Sequence, residues 1–223
     1  MRQADRLASL GRLAANIAHE IRNPLASMTG AAEALAGSPS PDQRERLAQI
    51  VARESARLNS IITTFLEYAR PAPPVKRRVN VADLLDEVLT LVEHRDLPPG
   101  LKIVREFPSD LSWPVDGQQI RQALWNLCLN AVEAMPAGGE LTVEAGVHEG
   151  HLRITVSDTG EGIPPTDLPH VLEPFFSTKP GGSGLGLAMV HRIAQDHGGD
   201  VSVESTRGRG TRVVLRFPDT VDQ

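Results

Sequence analysis

The sequence is short of several features that would assign it to a protein class at once. Of its 223 residues, one is a cysteine and 4% are aromatic, and 23 Lys and Arg stand against 28 Asp and Glu. A single cysteine excludes a disulfide framework, and Cys128 in the apolar run LWNLCLNAV is expected to be a small buried side chain. The formal net charge of −5 gives no basic surface for nucleic acid.

Long hydrophobic runs are also missing. No stretch reaches the roughly 18 to 20 apolar residues of a membrane-spanning helix, and the opening MRQADRLASLGR lacks the apolar core of a secretory signal. We therefore expect a soluble, cytoplasmic chain. The first apolar repeat starts in mid-heptad, which leaves open that the chain is the end of a longer protein.

Two N-terminal segments repeat apolar residues at steps of three and four, as the seam of a coiled coil does. The turn-forming stretch GSPSPD, residues 37–42, separates them and predicts a helical hairpin. One hairpin cannot cover both apolar stripes, so residues 1–70 are predicted to dimerise into a four-helix bundle. The seam positions are Leu7, Leu10, Ala14, Ile17, Ile21, Pro24, Met28, Ala31 and Leu35 in the first helix, and Leu47, Val51, Leu58, Ile61, Phe65 and Tyr68 in the second.

The proline-rich stretch RPAPPVKRRVN, residues 70–80, predicts the end of the second helix and a linker over residues 71–80. Beyond it the pattern changes, and residues 81–223 are predicted to form an α/β layered domain. Strands are expected at 141–147, 152–158, 201–205 and 211–217, and helices at 81–94, 117–135 and 186–197.

A histidine and a proline lie close together in the first helix. The seam register puts His19 on the face away from the seam, with Asn23 one turn further along that face and Glu20 beside it. Pro24 cannot donate to the carbonyl of Glu20, so the helix is expected to bend or loosen within one turn of His19. By itself this is also the pattern of an ordinary surface histidine, and HEIRN lacks the second histidine of a zinc helix.

Three stretches of the second half carry possible ligand groups. NLCLNAVEAM places Asn126 and Asn130 on one helical face, where two amides could ligate Mg²⁺ together with phosphate oxygens. DTGEGI puts Asp158 at a strand end before two glycines, and its carboxylate could accept a hydrogen bond from the amino group of adenine. In PFFSTKPGGSGLGLAMV, Lys179 and a glycine-rich run precede a helix start, which attracts phosphates, although neither a P-loop nor a dinucleotide fingerprint is present.

The order of these stretches resembles the transmitter region of the sensor histidine kinases of two-component systems, over residues 5–217. AHEIRNPL resembles the phosphoacceptor box, NLCLNAVEAM the N box, DTGEGI the first glycine box, PFFSTK the F box, GGSGLGL the second glycine box, and GRGTRVVLRFP the closing strand motif. RLASLGRLAANIAHEIRNPL and NAVEAMPAGG resemble the subgroup of nitrogen- and pilus-regulation kinases. The resemblance implies a dimerising helical hairpin followed by an α/β sandwich of the gyrase, chaperone, histidine kinase and MutL type.

The resemblance also implies the chemistry. His19 would accept the γ-phosphoryl group of ATP, with Glu20 accepting or hydrogen-bonding the imidazole proton. The group would pass to an aspartate of a separate response regulator, and Asn23 would support removal of phosphate from that partner. The chain would be a homodimer, reaching a membrane only through an N-terminal sensor region.

For the nucleotide, the resemblance implies that Asn130 holds Mg²⁺ with help from Asn126, and that Asp158 recognises adenine through a hydrogen bond. Because Glu133 stands where many relatives have a lysine or arginine, contact with the phosphates falls to Lys179, with Arg121 as a further candidate. The remaining binding residues implied are Gly160, Gly162, Ile163, Phe176, Thr178, Gly182, Gly184, Leu185, Gly186, Leu187 and Thr211.

Two other interpretations stay open. An ATPase of the gyrase, chaperone and MutL type would hydrolyse ATP without forming phosphohistidine, but those enzymes carry a glutamate where this chain has Asn126. An amide cannot take a proton from water, which disfavours hydrolysis. A non-catalytic dimeric scaffold that binds nucleotide would incorporate no phosphate.

Overall fold

The structure, a computed structural model, describes residues 3–69, 73–179 and 182–220 of the chain. Within these ranges, the side chains of residues 3–17, 19, 60, 64 and 67–69 are not described. The chain forms two compact units, one made of residues up to 71 together with the segment 177–185, and the other of residues 72–176 and 186 onward. Among the described helices, none is both long enough and apolar enough to cross a membrane.

The first unit contains a helical hairpin of α1 (Gln3–Ala36) and α2 (Pro41–Ala69), which pack along each other. Pro24, Ala31 and Ile61 are buried, and the other described seam positions are at least half-buried, so the predicted seam is confirmed there. Helix α1 continues through Pro24. The predicted seam positions whose side chains lie outside the described residues are Leu7, Leu10, Ala14, Ile17 and Tyr68.

The turn between the two helices ends in a capping box. The backbone N–H of Gln43 donates to Ser40 Oγ at 3.3 Å, and the Ser40 N–H donates to Gln43 Oε1 at 3.0 Å. Pro41 occupies the first helical position, where its missing N–H has no partner to lose. The predicted turn at 37–42 therefore contains the start signal of α2.

The second unit is a mixed sheet packed against helices. In chain order its elements are β1 (Arg77–Asn80), α3 (Val81–Glu93), β2 (Leu101–Glu106), β3 (Ser112–Val115), α4 (Gly117–Glu133), β4 (Gly139–His148), β5 (His151–Asp158), a 3-10 helix (Leu168–His170), α5 (Gly186–Asp196), β6 (Asp200–Thr206) and β7 (Gly210–Pro218). The main sheet has the order β2-β4-β5-β7-β6, in which β2 and β4 are parallel and the other pairs antiparallel. Helix α4 packs on β4 and β5, and α5 packs on β6 and β7.

The four predicted strands and the three predicted helices of this half are confirmed as β4 to β7 and α3 to α5. Three strands were not predicted. Residues 77–80, assigned to the linker from the sequence, form β1 and pair antiparallel with β3. Backbone hydrogen bonds make this pairing, so the basic side chains of RRVN did not indicate a strand. The Val75 N–H also donates to Asp116 Oδ2 at 2.9 Å, which ties the end of the predicted linker to the second unit.

Cys128 is 1% exposed in α4, which confirms the prediction of a small buried side chain. Burial raises the pKa of its thiol to about 12, so the thiol stays protonated at neutral pH.

His197 is a buried histidine, 1% exposed, next to the start of α4. Its Nε2 accepts the Asp116 N–H at 3.0 Å, so the ring proton lies on Nδ1 and donates to the carbonyl of Ile193 at 2.8 Å. Burial lowers the pKa of His197, against the raising effects of the Ile193 carbonyl and of the Asp116 and Asp196 charges, and the Lys76 charge lowers it further. The imidazole is therefore neutral in the folded protein near neutral pH.

This buried imidazole should make the protein acid-sensitive. Between its lowered pKa and the ordinary value near 6.5, the unfolded chain binds a proton that the folded chain does not, so stability falls as pH drops through that range. His197→Gln should be less stable at pH 7.5 by about 1 to 3 kcal/mol, because hydrogen bonds are lost, and should lose less stability on acidification. Urea unfolding from pH 7.5 to pH 5 measures both effects. An unchanged slope in His197→Gln would refute this assignment.

Candidate functional site

The register of the sheet places Asp158 on the face that carries the buried apolar residues. Side chains alternate along β5, so Asp158 shares a face with Val156, which is 3% exposed. Strand pairing aligns Asp158 with Leu141 of β4 and Thr211 of β7, and Thr211 with Ser205 of β6. Because Asp158 ends its strand, its carboxylate lies at the edge of the buried face, half-buried, where the chain enters the DTGEGI loop.

Two backbone groups orient the Asp158 carboxylate. Its Oδ1 accepts the N–H of Gly160 at 2.8 Å and the N–H of Thr211 at 3.2 Å. These bonds join the first glycine-rich loop to the last strand of the chain.

Two glycines of this loop approach neighbouring backbone closely. A Cβ at Gly160 would overlap the carbonyl of Ala134, just after α4. Gly162 has φ +65°, and a Cβ there would overlap the carbonyl of Thr206 at the end of β6. The loop therefore passes between the end of α4 and the β6–β7 turn only because side chains are absent at these positions.

Helices α4 and α5 bring a second predicted group together. A Cβ at Gly186 would lie 3.7 Å from Asn130 Nδ2 and 3.8 Å from Asn126 Oδ1, so both amides face the start of α5. Leu187 follows Gly186 in the first turn of α5 and is half-buried. Asp116 fixes the start of α4, because its Oδ1 accepts the N–H groups of both residues that follow Gly117.

The described part of the chain contains no cluster of three or more His, Cys, Asp or Glu side chains that could hold a metal ion. The amide oxygens of Asn126 and Asn130 nevertheless suit Mg²⁺, which takes oxygen ligands and commonly uses only one or two from the protein, the others being phosphate oxygens and water. The donor set on α4 therefore fits a magnesium ion that arrives with a phosphate ligand.

The segment 177–185 belongs to the first unit. Ser177 Oγ accepts the Lys179 N–H at 3.2 Å, and the Gly182 N–H donates to the Lys179 carbonyl at 3.1 Å, which gives the segment local turns. Gly184 has φ +62° and Leu185 is fully buried, whereas Thr178 is exposed. Phe176, at the end of the preceding segment, belongs to the second unit and packs its ring 5.7 Å from that of His170.

The predicted residues of the hairpin are only partly described. The backbone of His19 lies in α1, but its side chain falls outside the described residues, so its predicted exposure and its contact with Glu20 stay predictions. The Glu20 carboxylate lies 3.8 Å from Arg57 Nη2 of α2, and another nitrogen of Arg57 lies 3.6 Å from Glu54. Asn23 is exposed.

Arg121, a sequence candidate for phosphate contact, makes an ion pair at 2.8 Å with Glu87 of α3. That pairing occupies its guanidinium and weakens the case for phosphate contact. Conversely, sequence reasoning missed Ser205, which accepts the Ile163 N–H at 2.8 Å and lies 2.9 Å from Thr211 Oγ1. In the sequence, the only indication of a role for Ser205 was that it is the last inward-facing residue of the predicted strand VSVES.

Comparison with known proteins identifies both halves of the chain. The His Kinase A (phospho-acceptor) domain model matches residues 9–74, and the model for the histidine kinase-, DNA gyrase B- and HSP90-like ATPase matches residues 115–221. Sensor histidine kinase ZraS of Escherichia coli O157:H7 is 36% identical over 222 residues, covering 98% of this chain and 48% of that protein. The chain thus spans about half the length of the curated relatives that it matches first.

Solved structures agree with these matches. Histidine kinase ThkA, in complex with response regulator protein TrrA, superposes with a TM-score of 0.83 at 28% identity, covering 98% of this chain and 64% of that one. Full-length ShkA in complex with AMPPNP has a TM-score of 0.68 at 28% identity, covering 92% of this chain and 45% of that one. These TM-scores show that the chain shares its fold with solved histidine kinases.

Proposed function

Because the chain belongs to the sensor histidine kinases of two-component systems, we propose that it transfers the γ-phosphoryl group of ATP to His19 and then to an aspartate of a separate response regulator. The observation that carries the proposal is the union, in one chain, of a phosphoacceptor match over residues 9–74 and an ATPase match over residues 115–221. The division into a domain of residues 1–70 and one of residues 81–223, and the nitrogen- and pilus-regulation subgroup, stay predictions.

Nucleotide binding is proposed at the strand ends of the second unit. The oriented carboxylate of Asp158 would accept a hydrogen bond from the amino group of adenine, while Gly160 and Gly162 allow the loop beside it to pass close to the backbone of Ala134 and Thr206. The AMPPNP ligand of ShkA, an analogue of ATP, supports the same ligand class here. The segment with Thr178, Lys179, Gly182, Gly184 and Leu185 is proposed to close over the phosphates, with Lys179 supplying positive charge.

Magnesium is proposed at the two amides of α4, Asn130 with support from Asn126, whose position beside the start of α5 suits a phosphate-bound ion. When bound, Mg²⁺ neutralises charge on the phosphates. Gly186 and Leu187 begin a helix whose free N–H groups favour the same negative charge.

In the proposed transfer, a ring nitrogen of His19 forms a bond to the γ-phosphorus. The bond from that phosphorus to the bridging oxygen breaks, and ADP leaves. An imidazole with the ordinary pKa of about 6.5 is mostly neutral at cellular pH, so one nitrogen has a lone pair for the attack. Glu20 is the proposed partner of the proton on the other nitrogen, with Arg57 as the group that orients its carboxylate.

The proposed partners are a second copy of the chain and a response regulator. Leu25, Ile62 and Leu66 are 44%, 38% and 53% exposed on the hairpin, and a second hairpin would cover them in a four-helix bundle. The complex of ThkA with TrrA supports a regulator as the acceptor. Asn23, exposed one turn beyond His19, is the residue proposed to support removal of phosphate from the regulator. The protein is proposed to act in the cytoplasm.

Labelling tests the proposal directly. We expect incubation with γ-labelled ATP and Mg²⁺ to label the protein, and the label to be lost in acid but kept in alkali, as a phosphorus–nitrogen bond requires. ATP labelled at the α-phosphate should leave no label under the same conditions. ATP turnover without labelled protein would instead support the superfamily ATPase, and bound nucleotide with neither turnover nor label would support the scaffold.

A further inference from the structure

Ser205 lies at the centre of a hydroxyl cluster beside Asp158. Its Oγ has three polar neighbours: the Ile163 N–H at 2.8 Å, the Gly210 carbonyl at 2.9 Å and Thr211 Oγ1 at 2.9 Å. These partners come from the first glycine-rich loop and from the start of β7. Ser205 therefore joins the two segments that also hold the Asp158 carboxylate.

Counting hydrogens and lone pairs shows which group donates in each hydrogen bond of this cluster. A serine hydroxyl has one hydrogen and two lone pairs. The Gly210 carbonyl can only accept, so it takes the Ser205 hydrogen, and the Ile163 N–H can only donate, so it fills one lone pair. The second lone pair is left for Thr211, whose hydroxyl must then donate to Ser205 for all three contacts to be hydrogen bonds.

A Thr211 hydroxyl that donates to Ser205 can only accept from a ligand. Thr211 is the register partner of Asp158 on the adjacent strand and faces the same side of the sheet. Side chains paired in this way have Cβ atoms about 5 Å apart, so a base edge that reaches one also reaches the other. Asp158 and Thr211 together present acceptors, which match an amino group and oppose a carbonyl oxygen.

We propose that Ser205 is a positioning residue for base selection: by taking the hydrogen of Thr211, it makes the site prefer a purine with an amino group at C6 over one with a carbonyl there. The inference rests on the proposed function, in which Asp158 meets the adenine edge. It adds a residue outside the recognised motifs and assigns the orientation of the Thr211 hydroxyl.

The test compares ADP with inosine diphosphate, which carries a carbonyl at C6, by titration calorimetry on the full chain with Mg²⁺. In Ser205→Ala the Thr211 hydroxyl can turn and donate to that carbonyl, so the affinity ratio of ADP to inosine diphosphate should fall about tenfold. Ser205→Thr, which keeps the hydroxyl, should restore the parent ratio. Ser202→Ala makes the same change on the same strand but on the opposite face, and should leave the ratio unchanged.

Thr211→Val is an independent test of the proposal, because it removes the hydroxyl while nearly keeping the shape of the side chain. Its ratio should fall as well, and adding Ser205→Ala to it should cause no further fall. Equal weakening of both nucleotides in Ser205→Ala, or an unchanged ratio in Thr211→Val, would overturn the inference while leaving the proposed function intact. Failure of the parent to bind either nucleotide would overturn both.

Discussion

His19→Gln should abolish incorporation of the γ-phosphoryl group, reducing acid-labile label to background, while ATP binding stays at the parent level. Glutamine has a similar size and can hydrogen-bond, but its amide nitrogen has no available lone pair to attack phosphorus. The nucleotide fold matches a separate part of the chain, residues 115–221, so binding does not depend on this side chain. Phosphoprotein labelling and ADP titration, made on the same preparation, measure the two effects.

The matched control is His191→Gln, which makes the same substitution at another helical histidine. His191 lies in α5, with its Nε2 3.0 Å from the Gln195 amide one turn along. Its loss should leave labelling at the parent level. Label persisting in His19→Gln would place the phosphoryl group on a different residue, and the family assignment would then need a different acceptor.

Gly162→Ala should unfold or severely weaken the nucleotide site. The residue has φ +65°, which disfavours a side chain, and the added Cβ would overlap the carbonyl of Thr206. Strain and overlap together are expected to cost about 3 kcal/mol of stability. Displacing the loop also moves the Gly160 N–H away from Asp158 Oδ1, so ADP affinity should fall about tenfold or more. Urea unfolding and ADP titration check the two parts.

Gly150→Ala is the control that measures the cost of backbone strain without a close contact between the added Cβ and neighbouring atoms. Gly150, in the turn between β4 and β5, has φ +75°, but a Cβ there would meet nothing within 4 Å. The control should lose about 1 kcal/mol of stability and no ADP affinity. Equal losses of stability in the two variants would show that the contact with Thr206 contributes nothing.

The elements that sequence patterns located well are those with regular apolar repeats. Strands β4 to β7 and helices α3 to α5 bury one face, and burial imposes periods near two and near three and a half on their residues. Of the three strands that were not predicted, β1 and β3 give a weak strand signal, because RRVN is mostly polar and SWPV contains a proline. Their pairing depends on backbone hydrogen bonds between segments distant in sequence, which leave no periodic signal.

The candidate site likewise contains residues that the sequence indicated and residues that it did not indicate. The side chains capable of ligand chemistry, such as Asp158 and the two amides of α4, stood out because each falls in a short motif. Arg121 also stood out as a phosphate candidate, but folding brings it against Glu87, 34 positions away in the chain. Ser205 did not stand out at all, since its contacts with Ile163 and Gly210 arise from strand register.

The sequence by itself determined which motif residues this protein has, their order along the chain, and its membership of a kinase family, because motifs and apolar periods are local properties. Only the tertiary structure decided which of these groups meet. Asp158 accepts from the Thr211 N–H, 53 positions away, and Ser205 accepts from the Ile163 N–H, 42 positions away. The register of the sheet sets these pairings, which leave no periodic signal in the sequence.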